Sequence, residues 1–137
     1  NEKHADRISV YYNDEVLLFD VEPVIENGRT IAPFRTILET IGCAVYYTEE
    51  DGKQIVSARR GNDNLLITIG ANKMYFNGKE IALDVPAKIK HGRTLVPLRA
   101  VSEAFGCEVN WYGDTKTIHI CSPARAYAAS AENSQKP

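Results

Sequence analysis

Apolar and polar residues alternate along the first part of the chain in the pattern typical of β-strands. Residues 8–12 alternate in this way, and the dipeptide Asn13-Asp14 that follows them is a hairpin-turn sequence. Asn77-Gly78 is a second and stronger turn signal, because glycine adopts a positive φ without steric cost. A short strand-like segment follows each turn, at residues 16–19 and 80–83. The pattern therefore predicts two β-hairpins.

Two other segments repeat their apolar residues about every 3.6 positions, which predicts two short α-helices. The apolar stripes consist of Phe34, Ile37, Leu38 and Ile41 in the first segment, and of Leu98, Val101 and Phe105 in the second. Pro33 and Pro97 stand where a first helical residue is expected, because the missing N–H costs nothing there. Gly42 and Gly106 stand where a left-handed C-cap is expected. Helices of about nine residues are too short to be stable alone in water, so their apolar faces must be buried on something.

Further strands complete the predicted architecture. Residues 44–48 and 54–59 form a hairpin after the first helix, and residues 108–112 and 117–121 form one after the second. Residues 64–69 supply an additional strand. The sequence thus predicts an α+β fold of two tandem repeats, each mostly antiparallel β-strands packed against one short helix.

The two helical segments belong to a longer duplicated phrase. Residues 27–45 read NGRTIAPFRTILETIGCAV, and residues 91–109, 64 positions later, read HGRTLVPLRAVSEAFGCEV. Nine of the nineteen aligned residues are identical, whereas average composition gives about one match by chance. The duplication divides the chain into four expected parts. These are a disordered segment at 1–7, a first repeat at 8–70, a second repeat packed on it at 71–122, and a tail or linker at 123–137.

The net charge, the apolar runs and the cysteine spacing limit the classes of partner and site that we expect. The 137 residues carry a formal net charge of −2, with scattered Lys and Arg, so nucleic acid and anionic membranes are poor default partners. No apolar run approaches the roughly 20 residues that span a bilayer, so we expect no transmembrane segment in this chain. A removed secretory signal would explain a start at Asn1, as would a shortened sequence. The three cysteines lack CxxC-type spacing, which argues against a disulfide framework and a zinc site.

Two repeated Arg–Glu pairs are the strongest candidates for catalytic residues in the sequence. Arg35 and Glu39 are four residues apart, as are Arg99 and Glu103, so each pair can meet on its helix. A catalytic interpretation makes the glutamate a general acid or base and the arginine an anion holder. The structural interpretation is a partly buried ion pair that fixes helix to sheet. Duplication favours the structural interpretation, because one active site rarely needs its whole scaffold twice.

Other polar candidates have simpler interpretations. Arg29 and Arg93 follow the turn glycines Gly28 and Gly92, and we expect them to brace a loop or a carboxylate. His119 and Cys121 share one strand face, which is a hint of two ligands where a metal site needs three or four. Cys43 and Cys107 directly follow the capping glycines, where packing or a mutual disulfide are the alternatives.

Tyrosines offer the clearest route to a binding function. Four of them point away from the expected core: Tyr11, Tyr46, Tyr75 and Tyr112. Tyr47 and Trp111 are expected on the core side, with Val45 and Val109. If the four tyrosines share a sheet face, they form a surface for sugar stacking or protein docking. The alternative is four scattered, half-exposed strand tyrosines.

The duplicated phrase resembles the copper amine oxidase N-terminal domain-like family, the stalk module of many secreted and cell-envelope proteins of Gram-positive bacteria. The resemblance covers roughly residues 8–121. Cys43 and Cys107 stand where such modules often have Ala, and Ala32 where Val is usual. The resemblance implies an antiparallel sheet twisted around a helix outside the cell. It implies no copper or other cofactor, because the copper ligands and quinone-forming tyrosine of amine oxidases belong to a different domain.

These observations lead to two functional hypotheses. The first is a non-catalytic extracellular stalk, spacer or adhesion module, secreted or attached to the bacterial cell envelope, that binds cell-wall glycan or a partner protein; a homodimer, as a stalk would need, is a separate possibility. The second is a small hydrolase or thiol redox protein that uses Cys121 and His119 or the Arg–Glu pairs.

Overall fold

A computed structural model describes residues 7–124, and in this range the chain forms three β-sheets and two short helices. Sheet 1 contains, in spatial order, β12 (Glu108–Tyr112), β13 (Thr117–Cys121), β1 (Ser9–Tyr12) and β2 (Glu15–Val16). Sheet 2 contains β10 (Lys88–Lys90), β11 (Arg93–Pro97), β4 (Arg29–Pro33) and β3 (Val24–Glu26). Sheet 3 contains β5 (Ala44–Glu50), β6 (Lys53–Arg60), β7 (Asp63–Thr68), β8 (Lys73–Phe76) and β9 (Lys79–Ala82). Helix α1 (Phe34–Ile41) follows β4 directly, and α2 (Leu98–Ala104) follows β11.

The predicted α+β class is confirmed, and the two duplicated phrases meet in the middle of sheet 2. There β4 and β11 pair antiparallel, with Ala32 opposite Val96. These two residues are 64 positions apart, so they are equivalent positions of the duplicated phrase. Ile31 and Leu95 point to a small apolar cluster on one side of this sheet, whereas Ala32 and Val96 belong to the main core on the other. The pairing is therefore symmetric about this one residue pair.

Sheets 1 and 3 each combine strands from both halves of the chain. In sheet 3, β8 pairs with β7, so the expected boundary between residues 70 and 71 falls between two paired strands. In sheet 1, β1 pairs with β13, with Val10 opposite Ile118. This pair is parallel, unlike the other pairs of the described chain. Each half thus completes the sheet of the other, and the proposed domain limits stay a prediction.

An asparagine at each hairpin turn bonds to the neighbouring strand. The Asn77 amide accepts a hydrogen bond from the N–H of Asn64 at 2.8 Å and donates one to Asp63 Oδ1 at 3.0 Å. The Asn13 amide accepts from the N–H of Ser122 at 3.0 Å and donates to Ser122 Oγ at 3.1 Å. Both asparagines have a positive φ, which Asn tolerates better than most residues. The turn dipeptides seen in the sequence therefore also fasten β8 and β1 to their sheets.

The helix ends agree with the predicted C-caps and correct the predicted starts. Gly42 and Gly106 both have a positive φ, at 109° and 88°. The N–H groups that follow them bond back to the last helical turn, as in a Schellman motif. Pro33 and Pro97 are the last strand residues rather than the first helical ones. They pair with Leu95 and Ile31 across sheet 2, so their backbone stays extended and each helix begins one residue later.

The predicted helical stripes are buried and fill the main core between the sheets. Their members are at most 5% exposed: Phe34, Ile37, Leu38, Ile41, Leu98, Val101 and Phe105. Arg60, at the end of β6, closes this core by contacting both helix ends. Its guanidinium donates to Ile41 O at 3.2 Å and to Phe105 O at 2.9 Å, and lies 5.3 Å from the Phe105 ring centre. One cation therefore satisfies a C-terminal carbonyl at each helix.

Tyr47 and Trp111 are 45% and 41% exposed, so the expectation that they belong to the core is wrong. They lie on β5 and β12, which are edge strands, and an inward-pointing side chain at an edge has a covering neighbour on one side only.

The expected disordered start and tail fall largely on residues 1–6 and 125–137, outside the described range. Within that range, no helix has the length and apolar character needed to cross a bilayer.

Candidate functional site

Two surface grooves open where edges of the sheets meet. Groove A, of about 970 Å³, lies between Trp111 of β12, Ile25 of β3, Ala82 of β9 and the first turn of α2. The strands β12, β3 and β9 are edge strands of sheets 1, 2 and 3. The floor is apolar and the rim is polar, which is the usual composition of a ligand-binding cleft.

Groove B, of about 700 Å³, is the counterpart of groove A with the roles of the two halves of the chain exchanged. It lies between Tyr47 of β5, Ile89 of β10, Leu18 and the first turn of α1. Its main positions are 64 residues away from those of groove A: Ile89 and Ile25, Gly92 and Gly28, Arg93 and Arg29, Tyr47 and Trp111. The molecule thus presents the same type of groove twice.

An arginine–aspartate pair stands at the rim of each groove. Arg29 Nε donates to Asp84 Oδ2 at 2.8 Å, and Arg93 Nε donates to Asp20 Oδ2 at 2.7 Å. The hydrogen bond from Arg93 holds the pKa of the Asp20 carboxyl below its ordinary value. Each pair joins the start of a strand, β4 or β11, to a loop from the other half of the chain. A fixed guanidinium next to a carboxylate offers both donors and acceptors to a polar ligand.

The repeated Arg–Glu pairs are more exposed than the expected partly buried pairs. Arg35 contacts Glu39 at 3.0 Å and Arg99 contacts Glu103 at 3.1 Å, with about half of each side chain open to solvent. Arg99 also donates to Val109 O at 3.0 Å, which ties α2 to β12. Arg35 lines groove B, and Arg99 and Glu103 line groove A. These residues therefore form part of the groove walls, and only Arg99 is seen to link a helix to a strand.

The four candidate tyrosines lie on two different sheets. Tyr11 and Tyr112 share the outer face of sheet 1 with His119, whose ring stacks on Tyr11 at 5.0 Å and meets Tyr112 edge-on at 5.3 Å. Tyr46 and Tyr75 share one face of sheet 3, because the register joins them through Ser57 and Leu66. The single tyrosine surface considered from the sequence is therefore two separate surfaces. Tyr46, 53% exposed, also lines groove B.

The two buried thiols, Cys43 and Cys107, do not have the surroundings of reactive cysteines, whereas Cys121 is partly exposed. All three are free, and Cys43 and Cys107 are buried, so the disulfide between them is not formed. Burial raises the pKa of Cys43, and it raises that of Cys107 from 9.0 to about 11. A thiol with a raised pKa is protonated at neutral pH and is a poor nucleophile. Residues 7–124 also contain no group of three or more His, Cys, Asp or Glu side chains placed to hold a metal ion.

Several groove residues were not identified from the sequence. Asp20 and Asp84 were visible as residues 64 apart, but their partners, Arg93 and Arg29, are 73 and 55 residues away. Ile25 and Ile89 resemble ordinary strand residues, and their exposure of 48% and 44% appears only in the fold. The signal that could have found the aspartates is their recurrence at the same offset as the arginines.

Comparison with known proteins identifies one relationship. The family model described as "Copper amine oxidase N-terminal domain" matches residues 11–120, which is most of the chain. Neither the curated proteins nor the solved structures include a match.

Proposed function

We propose that this chain, which belongs to the copper amine oxidase N-terminal domain family, is an extracellular stalk and adhesion module of a bacterial cell-envelope protein. The N-terminal domain of this family is a non-catalytic accessory domain. The module consists of two tandem repeats that exchange strands, and it presents two related ligand grooves, each lined by both repeats. Its ligand is cell-wall glycan, and it performs no catalysis of its own.

The observation that carries this proposal is the exposure of aromatic side chains on the two edge strands beside the grooves. Tyr46 and Tyr47 of β5, which line groove B, are 53% and 45% exposed, and Trp111 of β12, which lines groove A, is 41% exposed. Leaving these rings in water costs stability, which a ligand-binding role explains. An aromatic face stacks well on the C–H face of a sugar ring, and a neighbouring Arg–Asp pair hydrogen-bonds its hydroxyl groups.

The test is retention on purified cell wall. The wild-type chain should sediment with wall material, including wall stripped of protein by protease. Trp111→Ala combined with Tyr47→Ala should reduce retention at least tenfold, because a buried aromatic contact is worth about 1.5 kcal/mol or more. Tyr112→Ala is the matched control, since this ring is equally exposed but lies on the outer face of sheet 1.

Three results would redirect or reject the proposal. A loss caused by Tyr112→Ala alone would place binding on the tyrosine face of sheet 1. Loss of retention after protease treatment of the wall would identify a protein partner instead of glycan. No retention by the wild-type chain, together with intracellular location of the parent protein on fractionation, would reject the role. Light scattering would separately test the homodimer expected of a stalk.

A further inference from the structure

The first and last strands of the described chain are direct neighbours in sheet 1 and run parallel. Ser9 lies opposite Thr117, and Tyr12 lies opposite Ile120. The chain therefore enters this pair at the Ser9 end and leaves it at the far end, beyond Cys121. A force that pulls the two ends of the chain apart acts along the two strands in opposite directions. Such a force loads the bonds between β1 and β13 together, whereas an unzipping force breaks them one after another.

Further hydrogen bonds join β1 and β13 at the two ends of their strand ladder. The N–H of Ser9 donates to Lys116 O at 3.0 Å, and the N–H of Asn13 donates to Ile120 O at 2.9 Å. The Asn13 side chain adds its two hydrogen bonds to Ser122, at 3.0 and 3.1 Å. These bonds join β1 to both ends of β13.

The two faces of the pair are also covered by side chains, fully on the inner face and partly on the outer face. On the inner face, Val10, Ile118 and Ile120 are at most 3% exposed and belong to the main core. On the outer face, Tyr11 and His119 stack at 5.0 Å with their rings 14° from parallel. Side chains on both faces limit the access of water to these hydrogen bonds and strengthen them, which raises the barrier to rupture.

We propose that the β1–β13 pair is a mechanical clamp, which makes this fold a load-bearing unit when it is pulled through its two chain ends. The rest of the molecule lies off the direct line of force, because the load passes from β1 to β13 without crossing sheets 2 or 3. Mechanical strength is a property of the isolated chain. The use of that strength in the cell rests on the stalk role proposed above.

Single-molecule pulling of the full chain tests the clamp in two geometries. In the first, handles at both termini load the strands in shear. In the second, one handle stays at the N-terminus and the other is attached at Thr115, in the turn before β13, so that both handles pull on the same end of the pair. Shear should need a several-fold higher force than unzipping at the same loading rate. Equal forces in the two geometries would overturn the proposal.

Two matched variants separate mechanical from equilibrium effects. Asn13→Ala and Asn77→Ala each remove a positive-φ asparagine and two side-chain hydrogen bonds, so both should lower urea stability to a similar extent. Only Asn13→Ala should speed terminal unfolding at a fixed load, roughly 10- to 30-fold for two hydrogen bonds. An equal effect of Asn77→Ala under load would refute the clamp. If Asn13→Ala does not fold, Ser122→Ala, which removes one of the bonds, should speed unfolding by a smaller factor, and no effect would count against the clamp.

Discussion

Replacing Arg60 by alanine should be among the most destabilising changes at a partly exposed position. The guanidinium donates to Ile41 O at 3.2 Å and to Phe105 O at 2.9 Å, so its loss leaves a carbonyl unpaired at the end of each helix. Because the side chain is only half-buried, we take about 1 kcal/mol for each bond, which is the value of an ordinary hydrogen bond and lies below the range for charged ones. The contact with the Phe105 ring, at 5.3 Å, adds about 0.5–1 kcal/mol. The expected loss in the free energy of unfolding is about 3 kcal/mol.

Urea unfolding at neutral pH, followed by Trp111 fluorescence and by circular dichroism, measures this loss. The midpoint should fall for Arg60→Ala while the slope of the transition is unchanged, since the surface exposed on unfolding is nearly the same. Arg60→Lys should recover about 1 kcal/mol, because a single ammonium group keeps the charge but does not reproduce the fork that reaches two carbonyls. Arg59→Ala is the matched control, as this neighbouring arginine of β6 is exposed.

Three results would contradict this reasoning. If Arg60→Ala loses less than about 1 kcal/mol, water replaces the guanidinium at both helix ends and the carbonyls do not depend on it. If Arg59→Ala loses as much as Arg60→Ala, the effect comes from net charge and not from the two contacts. A full recovery by Arg60→Lys would show that charge at the helix ends matters more than the shared geometry.

Three further predictions concern single sites. Because the pKa of Cys107 is raised from 9.0 to about 11 by burial, the unfolded chain loses the thiol proton at a lower pH than the folded chain does. The free energy of unfolding should therefore be unaffected by this group below pH 9 and should fall by up to about 2 kcal/mol as the pH approaches 11. In urea unfolding across this range, the free energy of unfolding of Cys107→Ala should depend less on pH than that of the wild-type chain. In thermal unfolding, Arg99→Ala should lower the stability by about 1 kcal/mol and Arg35→Ala by at most about 0.5 kcal/mol. The reason is that Arg99 bonds to Val109 O in addition to its glutamate, whereas Arg35, among the residues that the structure describes, has only its exposed ion pair with Glu39. Equal losses would contradict this assignment. Gly42→Ala should cost about 1–2 kcal/mol in urea, because its φ of 109° strains any residue with a Cβ; an unchanged midpoint would show that the cap relaxes.

Local structure in this protein follows closely from the sequence, because it depends on neighbouring residues. The apolar stripe that includes Ile37 and Leu38 is fully buried, since a period of 3.6 places these residues on one helix face whatever the helix packs against. Gly42 and Asn77 have a positive φ where the sequence requires one, because few other residues tolerate that backbone conformation. The exception is the start of each helix, where Pro33 pairs across sheet 2 and stays extended.

The sequence indicates only some residues of the candidate site, because the contacts that form this site join residues that lie far apart in the chain. Arg29, Arg93 and Trp111 belong to the duplicated phrase or adjoin it, so repetition singles them out. Their surroundings come from elsewhere in the chain: Asp84 reaches Arg29 from 55 residues away, and Arg93 reaches Asp20 across 73. The exposure of Trp111 depends on β12 being an edge strand, which its own residues do not reveal.

The sequence by itself determined the turns, the helix caps, the buried stripes and the duplication, because steric limits on φ and side-chain periodicity act within a few residues. Tertiary structure alone decided that β1 joins β13 and that β8 joins β7, so that each half completes the sheet of the other. An alternating strand carries the same apolar pattern towards any open sheet edge, and its own residues do not choose between them. That choice depends on how well the whole core closes, including the contact of Arg60 with both helices, and it is therefore made only when the chain folds as one body.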